Sequence, residues 1–210
     1  VLLSDGYIAN GSEPWKLPDL DKIPEIKTKI VKNTKDDKYL PYKRDEKTLS
    51  RDWALPGTPG LEHRIGGLEK AAVSGNVSYD ADNHDYMVKL RQDKIDIIAN
   101  FIPELEIYGN PKGELLVLSW GGTYGACRAA VQKANENNMS VAHINLKYIN
   151  PFPKNLGEIL LKFNKVLIPE INLGQLSTII RSKFLIDTIN FNRVSGKPYT
   201  TTDIYEKIEQ

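Results

Sequence analysis

The chain holds a single cysteine, Cys127, in 210 residues. That excludes a disulfide framework within it, and equally an iron–sulfur cluster held by its own thiolates, which takes about four. A lone thiol also fits a reducing, cytoplasmic setting. Histidine is almost as scarce. His63, His84 and His143 are scattered without ligand-like spacing, which argues against a zinc site. No apolar run approaches the roughly 20 residues of a membrane span. Excess charge of either sign is missing too: 28 Lys and Arg oppose 27 Asp and Glu, for a net charge of +1. There is thus no basic field for nucleic acid and no polybasic block for a membrane surface. Methionine is missing from the first position. Val1-Leu2-Leu3-Ser4-Asp5-Gly6 reads as the end of a strand entering a turn, and no signal-type pattern is present, so the chain is expected to be a piece of a longer protein rather than a processed secretory product.

What is present is ordinary globular composition, 40% hydrophobic and 26% charged, enough for one or two domains. The character changes near residue 105. Half of the twelve prolines fall between residues 11 and 60, among many lysines and aspartates, with no persistent period. This reads as a long connector that lies on another surface or is partly mobile, with Trp15, Tyr39, Tyr42 and Trp53 as anchors. Residues 64–80 are punctuated by glycine and suggest a strand or hairpin. From Asp82 the spacing turns helical. Met87, Leu90, Ile97, Ile98, Phe101 and Ile102 share a face, Asp82 and Asp85 suit the start, and Pro103 ends the run.

Beyond residue 105 strands and helices alternate with short loops. ELLVLSW precedes the helical YGACRAAVQKANENN, MSVAHINL precedes NLGEILLKF, and KVLIPEI precedes LSTIIRSKFL. A last strand, DTINFN, leads to a short terminal helix. The alternation predicts parallel βαβ units in an α/β three-layer sandwich with a mostly parallel sheet. Its strands are apolar on both faces, as a doubly covered sheet requires.

In such sheets ligands and partners meet the carboxyl ends of the strands. The first loop there, Ser119-Trp120-Gly121-Gly122-Thr123-Tyr124-Gly125, has glycines and a helix start that can receive an anion. Its GGxxG spacing is not the GxGxxG of dinucleotide sites, and Lys147 stands where a ribose-binding acid would. No GK[ST] follows, which excludes a P-loop. Three readings stay open: a tight turn that needs glycine, a phosphate-bearing ligand, or a partner subunit. Lys147 and Lys197 are the cations that would assist a phosphate. Glu170 closes an apolar strand and needs a partner, either the helix start at Gln175, Lys147 or Arg181. Asn172 and Gly174 suit a left-handed turn. Cys127 shares a helix face with Ala130, Val131 and Ala134 and reads as a packed thiol, and His143 as a satisfied core or edge histidine. No Ser/His/Asp arrangement stands out, so no catalytic residue is assigned.

Taken together the loops say more. Ser4-Asp5-Gly6-Tyr7 with Asn10 to Trp15, Gly60-Leu61-Glu62-His63, Trp120 to Gly125, Tyr148-Ile149-Asn150-Pro151-Phe152-Pro153, Glu170 to Leu176, and Ser195-Gly196-Lys197-Pro198 run in order over nearly the whole chain. In that order they resemble the alpha subunit of 2-oxoacid:ferredoxin oxidoreductases, most closely the 2-oxoglutarate type (2-oxoglutarate synthase). The resemblance implies that residues 1–18 end a pyrimidine-binding domain, 19–104 form the connector, and 105–210 form a transketolase C-terminal-like domain. It implies an enzyme that uses thiamine diphosphate, magnesium and iron–sulfur clusters to decarboxylate a 2-oxoacid, reduce ferredoxin and form acyl-CoA from coenzyme A. The metal–diphosphate motif of that family belongs to its beta subunit. The chain alone is therefore expected to be inactive and to bind no thiamine diphosphate tightly. Its expected role is subunit interface and active-site shaping, against a beta subunit and a second alpha chain. Glu62, His63, Tyr148, Asn150, Glu170, Asn172 and Gln175 are the expected interface residues. Gly121, Gly122, Thr123, Gly125, Lys147 and Lys197 are expected at a coenzyme A phosphate or at the same interface. The rival expectations are another transketolase-type enzyme, such as an E1 beta-like chain, and a non-catalytic α/β interaction module.

Overall fold

The computed structural model describes residues 9–12, 14, 16–32 and 39–210. Ser4-Asp5-Gly6-Tyr7, Glu13, Trp15 and most of the stretch assigned to residues 1–18 lie outside the described residues. The chain divides into two compact units, Trp15–Phe101 and Val1–Pro14 with Ile102–Gln210.

The unit Trp15–Phe101 is mostly irregular. It contains a two-residue parallel pair, β1 (Ile30–Val31) with β2 (Trp53–Ala54), and one long helix, α1 (Ala81–Asp96). Tyr39 sets its ring edge-on to His63 at 5.2 Å, and Tyr42 lies under the Arg51 guanidinium at 4.2 Å. Trp53, expected as an anchor, is 67% exposed. The expected hairpin at 64–80 is reduced to one antiparallel bridge, Lys70 to Val77, around a turn. Lys70 is buried and its ammonium donates to the carbonyls of Gly66 and Leu68, which folds that loop over the side chain. Helix α1 begins at Ala81, one residue before Asp82, because Asp80 caps it by accepting from the Asn83 amide at 2.7 Å. Met87 and Leu90 are buried as expected, but Ile98 and Phe101 are exposed. The reason is a change of period: after Asp96 the chain tightens into a 3₁₀ turn, Ile97–Asn100, and the apolar face rotates out of line. Leu17, Ile26, Ile65 and Tyr79 are each more than three-quarters exposed, while Leu61, Met87 and Leu90 are the buried large apolar side chains.

The second unit is the expected α/β sandwich. Strands β3 (Gly113–Trp120), β4 (Val141–Leu146), β5 (Phe163–Glu170) and β6 (Ile189–Asn192) form one sheet in the order β4-β3-β5-β6, every neighbour parallel. Helices α2 (Tyr124–Glu136), α3 (Leu156–Leu160), α4 (Gln175–Phe184) and α5 (Thr201–Glu209) cover it. The period-2 alternation of the strands decides which layer each residue enters. Leu116, Leu118, Ile144 and Ile168 pack with Leu156, Leu160, Leu176 and Ile180 of α3 and α4. Val117 and Leu167 pack with Cys127, Ala130 and Val131 of α2 and with Ile204 and Ile208 of α5. Small residues on α2 let it approach the sheet closely. Gly157 does the same between α3 and α4, since a Cβ there would stand 3.1 Å from the Phe184 ring. Thr200 and Asp203 close a reciprocal capping box at the start of α5. The helix expected over NLGEILLKF is only five residues, because β5 already begins at Phe163. Among the described residues no helix is long and apolar enough to cross a membrane.

Candidate functional site

The strand register makes the carboxyl edge of this sheet level. Trp120 pairs with Leu146, Glu170 pairs with Asn192, and Val117 pairs with Leu167, which carries Trp120 to the height of Glu170. Four loops therefore leave the sheet side by side, after Trp120, Leu146, Glu170 and Asn192. Their order across the edge follows the strands. With parallel neighbours about 4.8 Å apart, the ends of β4 and β6 are three strand spacings, roughly 14 Å, apart. Lys147 directly follows β4, next to the strand from which the Gly121–Gly125 loop leaves, and Lys197 follows β6 by five residues.

The loop after β5 is built from beneath. Glu170 is fully buried, and its two carboxylate oxygens accept the Leu176 and Ser177 amides at 3.0 Å each. Of the three expected partners, the helix start is the one it takes; Arg181 pairs with Asp187 instead. An anion at the positive end of α4 gains from the helix dipole and satisfies two donors that the helix leaves open. One turn above, Asn172 Oδ1 accepts the Gly174 and Gln175 amides at 2.7 and 3.2 Å. Gly174 sits at φ +93°, and a Cβ there would meet Asn192 Nδ2 at 2.7 Å, so both backbone shape and space require glycine. Between these brackets Leu173 projects outward, 81% exposed. Glu170 and Asn172, expected as interface residues, make these bonds within the chain. Their oxygens are spent inside the chain, and they hold the loop that a partner would touch.

The Gly121–Gly125 loop is shorter than it reads. β3 passes straight into a 3₁₀ turn, Gly121–Thr123, and then α2. Gly121 has φ +55°. Thr123 is buried, and its hydroxyl accepts from the Trp120 amide at 3.3 Å and donates to the Trp120 carbonyl at 2.9 Å. It is not free to receive a ligand. Gly125 has open space where a side chain would be. The loop can thus offer an anion only backbone amides near Gly121 and Gly122, with Lys147 one strand away.

Beneath that turn lies a polar cluster that the spacing of residues in the chain does not announce. Ser119 and Asn145 are register partners on β3 and β4. The Ser119 hydroxyl is 2.7 Å from His143 Nε2 and 2.9 Å from Asn145 Oδ1. Both contacts are satisfied when the hydroxyl donates its one proton to Asn145 and accepts from His143. Tyr124 stacks over the imidazole at 5.9 Å. Burial first, and then the nearby Arg128 charge, push the His143 pKa down to about 4, so the ring is neutral at physiological pH. A serine whose proton and lone pair are both committed, beside so weak a base, is not an activated nucleophile. Cys127 is equally inert, because burial pushes its thiol up to about 12. Among the described residues no group of three or more His, Cys, Asp or Glu side chains is placed to hold a metal ion.

The remaining expected residues lie as follows. Tyr148, Asn150, Gln175, Lys147 and Lys197 are exposed on the edge. Glu62 is exposed in the other unit, and His63 there contacts Tyr39 and, through Nδ1 at 2.8 Å, the Leu61 carbonyl. Sequence reasoning passed over Leu173. The signal was an apolar residue set between a turn-forming asparagine and a left-handed glycine, a place that leaves it 81% exposed.

No family model matches the chain. It is 50% identical over 206 residues, 97% of its length, to "2-oxoglutarate oxidoreductase subunit KorA" of Mycobacterium tuberculosis. It is 27% identical over 93% of its length to "2-oxoacid:ferredoxin oxidoreductase 1, subunit alpha" of Sulfurisphaera tokodaii, and 31% identical over 80% to "2-oxoglutarate synthase subunit KorA" of Methanocaldococcus jannaschii. The chain spans about a third of the first two relatives (31% of each) and 48% of the third. Among solved structures, 2-oxoglutarate:ferredoxin oxidoreductase from Magnetococcus marinus, with 2-oxoglutarate, coenzyme A and succinyl-CoA bound, superposes with a TM-score of 0.82 at 28% identity. That match covers 91% of this chain and 33% of the other.

Proposed function

We propose, from the premise that this chain is kin along almost its whole length to one third of a 2-oxoacid:ferredoxin oxidoreductase alpha subunit, that it is the part of such a subunit that builds subunit contacts and shapes the approach to the active site. The enzyme it serves converts a 2-oxoacid, 2-oxoglutarate by its 50% identity to a 2-oxoglutarate oxidoreductase subunit, with coenzyme A to acyl-CoA and CO2, and passes two electrons to ferredoxin. One observation carries the division of labour. The level carboxyl edge, where an α/β sheet places its chemistry, presents no reactive group: Glu170 is saturated by backbone amides, His143 is a buried neutral ring, and the Cys127 thiol is sealed in the core.

The residues present do not fit the resident cofactors. A diphosphate-bound magnesium needs oxygen ligands of its own and a cluster needs several thiolates; the described residues offer neither set. In this reading the beta subunit and other parts of the assembly carry thiamine diphosphate, magnesium and the clusters, and no chemical step runs through this chain. Its connector unit, with little core of its own and large exposed apolar side chains, is a further surface for the alpha–beta or alpha–alpha contact, where Glu62 and His63 lie. Residues 105–210 serve as the transketolase C-terminal-like domain and residues 19–104 as the connector.

A second reading concerns the Gly121–Gly125 turn. Lys147 is exposed on the adjacent strand end, which suits one phosphate of coenzyme A. Gly122→Leu would then raise the coenzyme A KM of the enzyme without impairing assembly, whereas loss of assembly would mark the turn as contact surface.

The test of the main reading is reconstitution of the complete alpha subunit with its companion subunit, followed by ferredoxin reduction with individual 2-oxoacids. Coenzyme A-dependent reduction with 2-oxoglutarate is expected. A reconstituted complex that turns over no 2-oxoacid overturns the reading.

A further inference from the structure

The carboxyl edge carries an arrangement of surface chemistry that neither kinship nor the site residues above assign. Its loops expose five large apolar side chains: Tyr124 at 47%, Tyr148 at 46%, Ile149 at 38%, Leu173 at 81% and Val194 at 67%. Tyr124 opens α2 after the turn that follows β3, and the others lie in the loops after β4, β5 and β6, strands whose ends the register sets level. The strand order puts Tyr148 and Ile149 at one end, Tyr124 and Leu173 in the middle, and Val194 at the other end. The row spans three strand spacings, roughly 14 Å.

The charges flank this row and are of one sign. Lys147, Lys154 and Lys197 are exposed, and none takes part in an ion pair among the described residues. Arg193 is neutralised by Asp203 at 3.1 Å. The four loops themselves contain no carboxylate; Glu170, which ends β5, is buried, and Glu158 stands on the first turn of α3. An apolar centre with charge at its margin is the layout of a protein–protein contact, not of a pocket for a small ligand. The centre is also stiff. Glu170 and Asn172 fix the two ends of the loop, and Gly174 cannot turn aside because Asn192 stands against it. The backbone that carries Leu173 is already ordered, so docking there costs little further loop entropy.

We infer that Leu173 is the central anchor of a docking surface for the companion subunit, whose matching face is an apolar socket bordered by carboxylates that meet Lys147 and Lys197. The inference rests on the reading that the chain is part of an alpha subunit. It adds which edge is covered, by what chemistry, and through which side chain.

The experiment uses the complete alpha subunit and its purified companion. The dissociation constant and association rate are measured for wild type, Leu173→Ser, and the Lys147→Glu and Lys197→Glu variants, at two salt concentrations. Leu173→Ser removes an exposed side chain, so folding is expected to persist, and the melting temperature checks this. The expected result is at least tenfold weaker assembly for Leu173→Ser, with the loss in the dissociation rate. The lysine variants are expected to slow association several-fold and to flatten its salt dependence. Unchanged assembly for Leu173→Ser overturns the inference. So does an effect of the lysine variants confined to the coenzyme A KM, which would make the edge a ligand site, and so does a change only in alpha self-association. Wild-type complex that reduces ferredoxin yet ignores the Leu173 change sinks this inference and leaves the functional reading standing. Complex that assembles through Leu173 but turns over no 2-oxoacid does the reverse.

Discussion

Glu170→Gln tests the physics of the edge most sharply. The wild-type carboxylate is fully buried and receives two amides, Leu176 and Ser177, at 3.0 Å each. Charge-assisted bonds of this kind contribute about 1.5–3 kcal/mol each, and the charge at a helix N-terminus adds up to about 2 kcal/mol. Against this stands the several kcal/mol needed to bury a carboxylate, so the net worth of the group is smaller than the sum. Glutamine is nearly isosteric and keeps one acceptor oxygen. Its amide group, however, turns two protons toward an N–H, leaving a buried donor facing a donor. The balance is a loss of about 2–4 kcal/mol. At about 2–4 °C per kcal/mol for a chain of this size, the melting temperature falls by roughly 5–15 °C. Thermal unfolding followed by circular dichroism measures it, and hydrogen exchange locates it. The Leu176 and Ser177 amides, with the first turn of α4, should exchange fastest in the variant. A drop below about 2 °C, with those two amides still protected, would refute the claim that Glu170 holds the loop through its charge.

Gly174→Ala forces a Cβ to within 2.7 Å of Asn192 at a φ of +93°, and is expected to cost about 1–3 kcal/mol and to loosen assembly in parallel with Leu173→Ser; calorimetric unfolding and a binding titration read the two effects. His143 has a pH signature. Its folded pKa, about 4, lies below the ordinary value of 6.5, so between these limits the unfolded chain binds the proton and the folded chain does not. Stability therefore falls as pH drops from about 6.5 to 4, by on the order of 2–3 kcal/mol, and His143→Gln should flatten that stretch of a denaturation-against-pH curve. Cys127 should resist a thiol reagent in the native state at neutral pH and react fully once the protein is unfolded; a native reaction at the rate of a free thiol would contradict its burial.

The α/β sandwich was legible in the sequence because its signals are local. Runs such as LLVL and VLIP can be stable only when covered on both faces, and the helical spacing of Cys127, Ala130, Val131 and Ala134 allows one buried stripe. The edge loops followed from that architecture alone. What lay beyond reach was set by partners distant in the chain. Glu170 could have paired with Lys147, Arg181 or the helix start, and only the three-dimensional path of the loop decides. Ser119 meets His143 and Asn145 because β3 and β4 pair in one register, which no pattern within either strand reveals. Leu173 escaped notice for the opposite reason: an isolated leucine in a turn carries no period, and its 81% exposure is a property of the fold. The helical spacing before Pro103 put Ile98 and Phe101 on the inner face, but the switch from α to 3₁₀ winding after Asp96 turns both to solvent.

At the centre stands the claim that this edge docks and shapes while other polypeptide carries the reactive cofactor. Calorimetric titration of the chain with thiamine diphosphate and magnesium addresses it directly. The account predicts no saturable heat at micromolar ligand; a stoichiometric micromolar isotherm would contradict it.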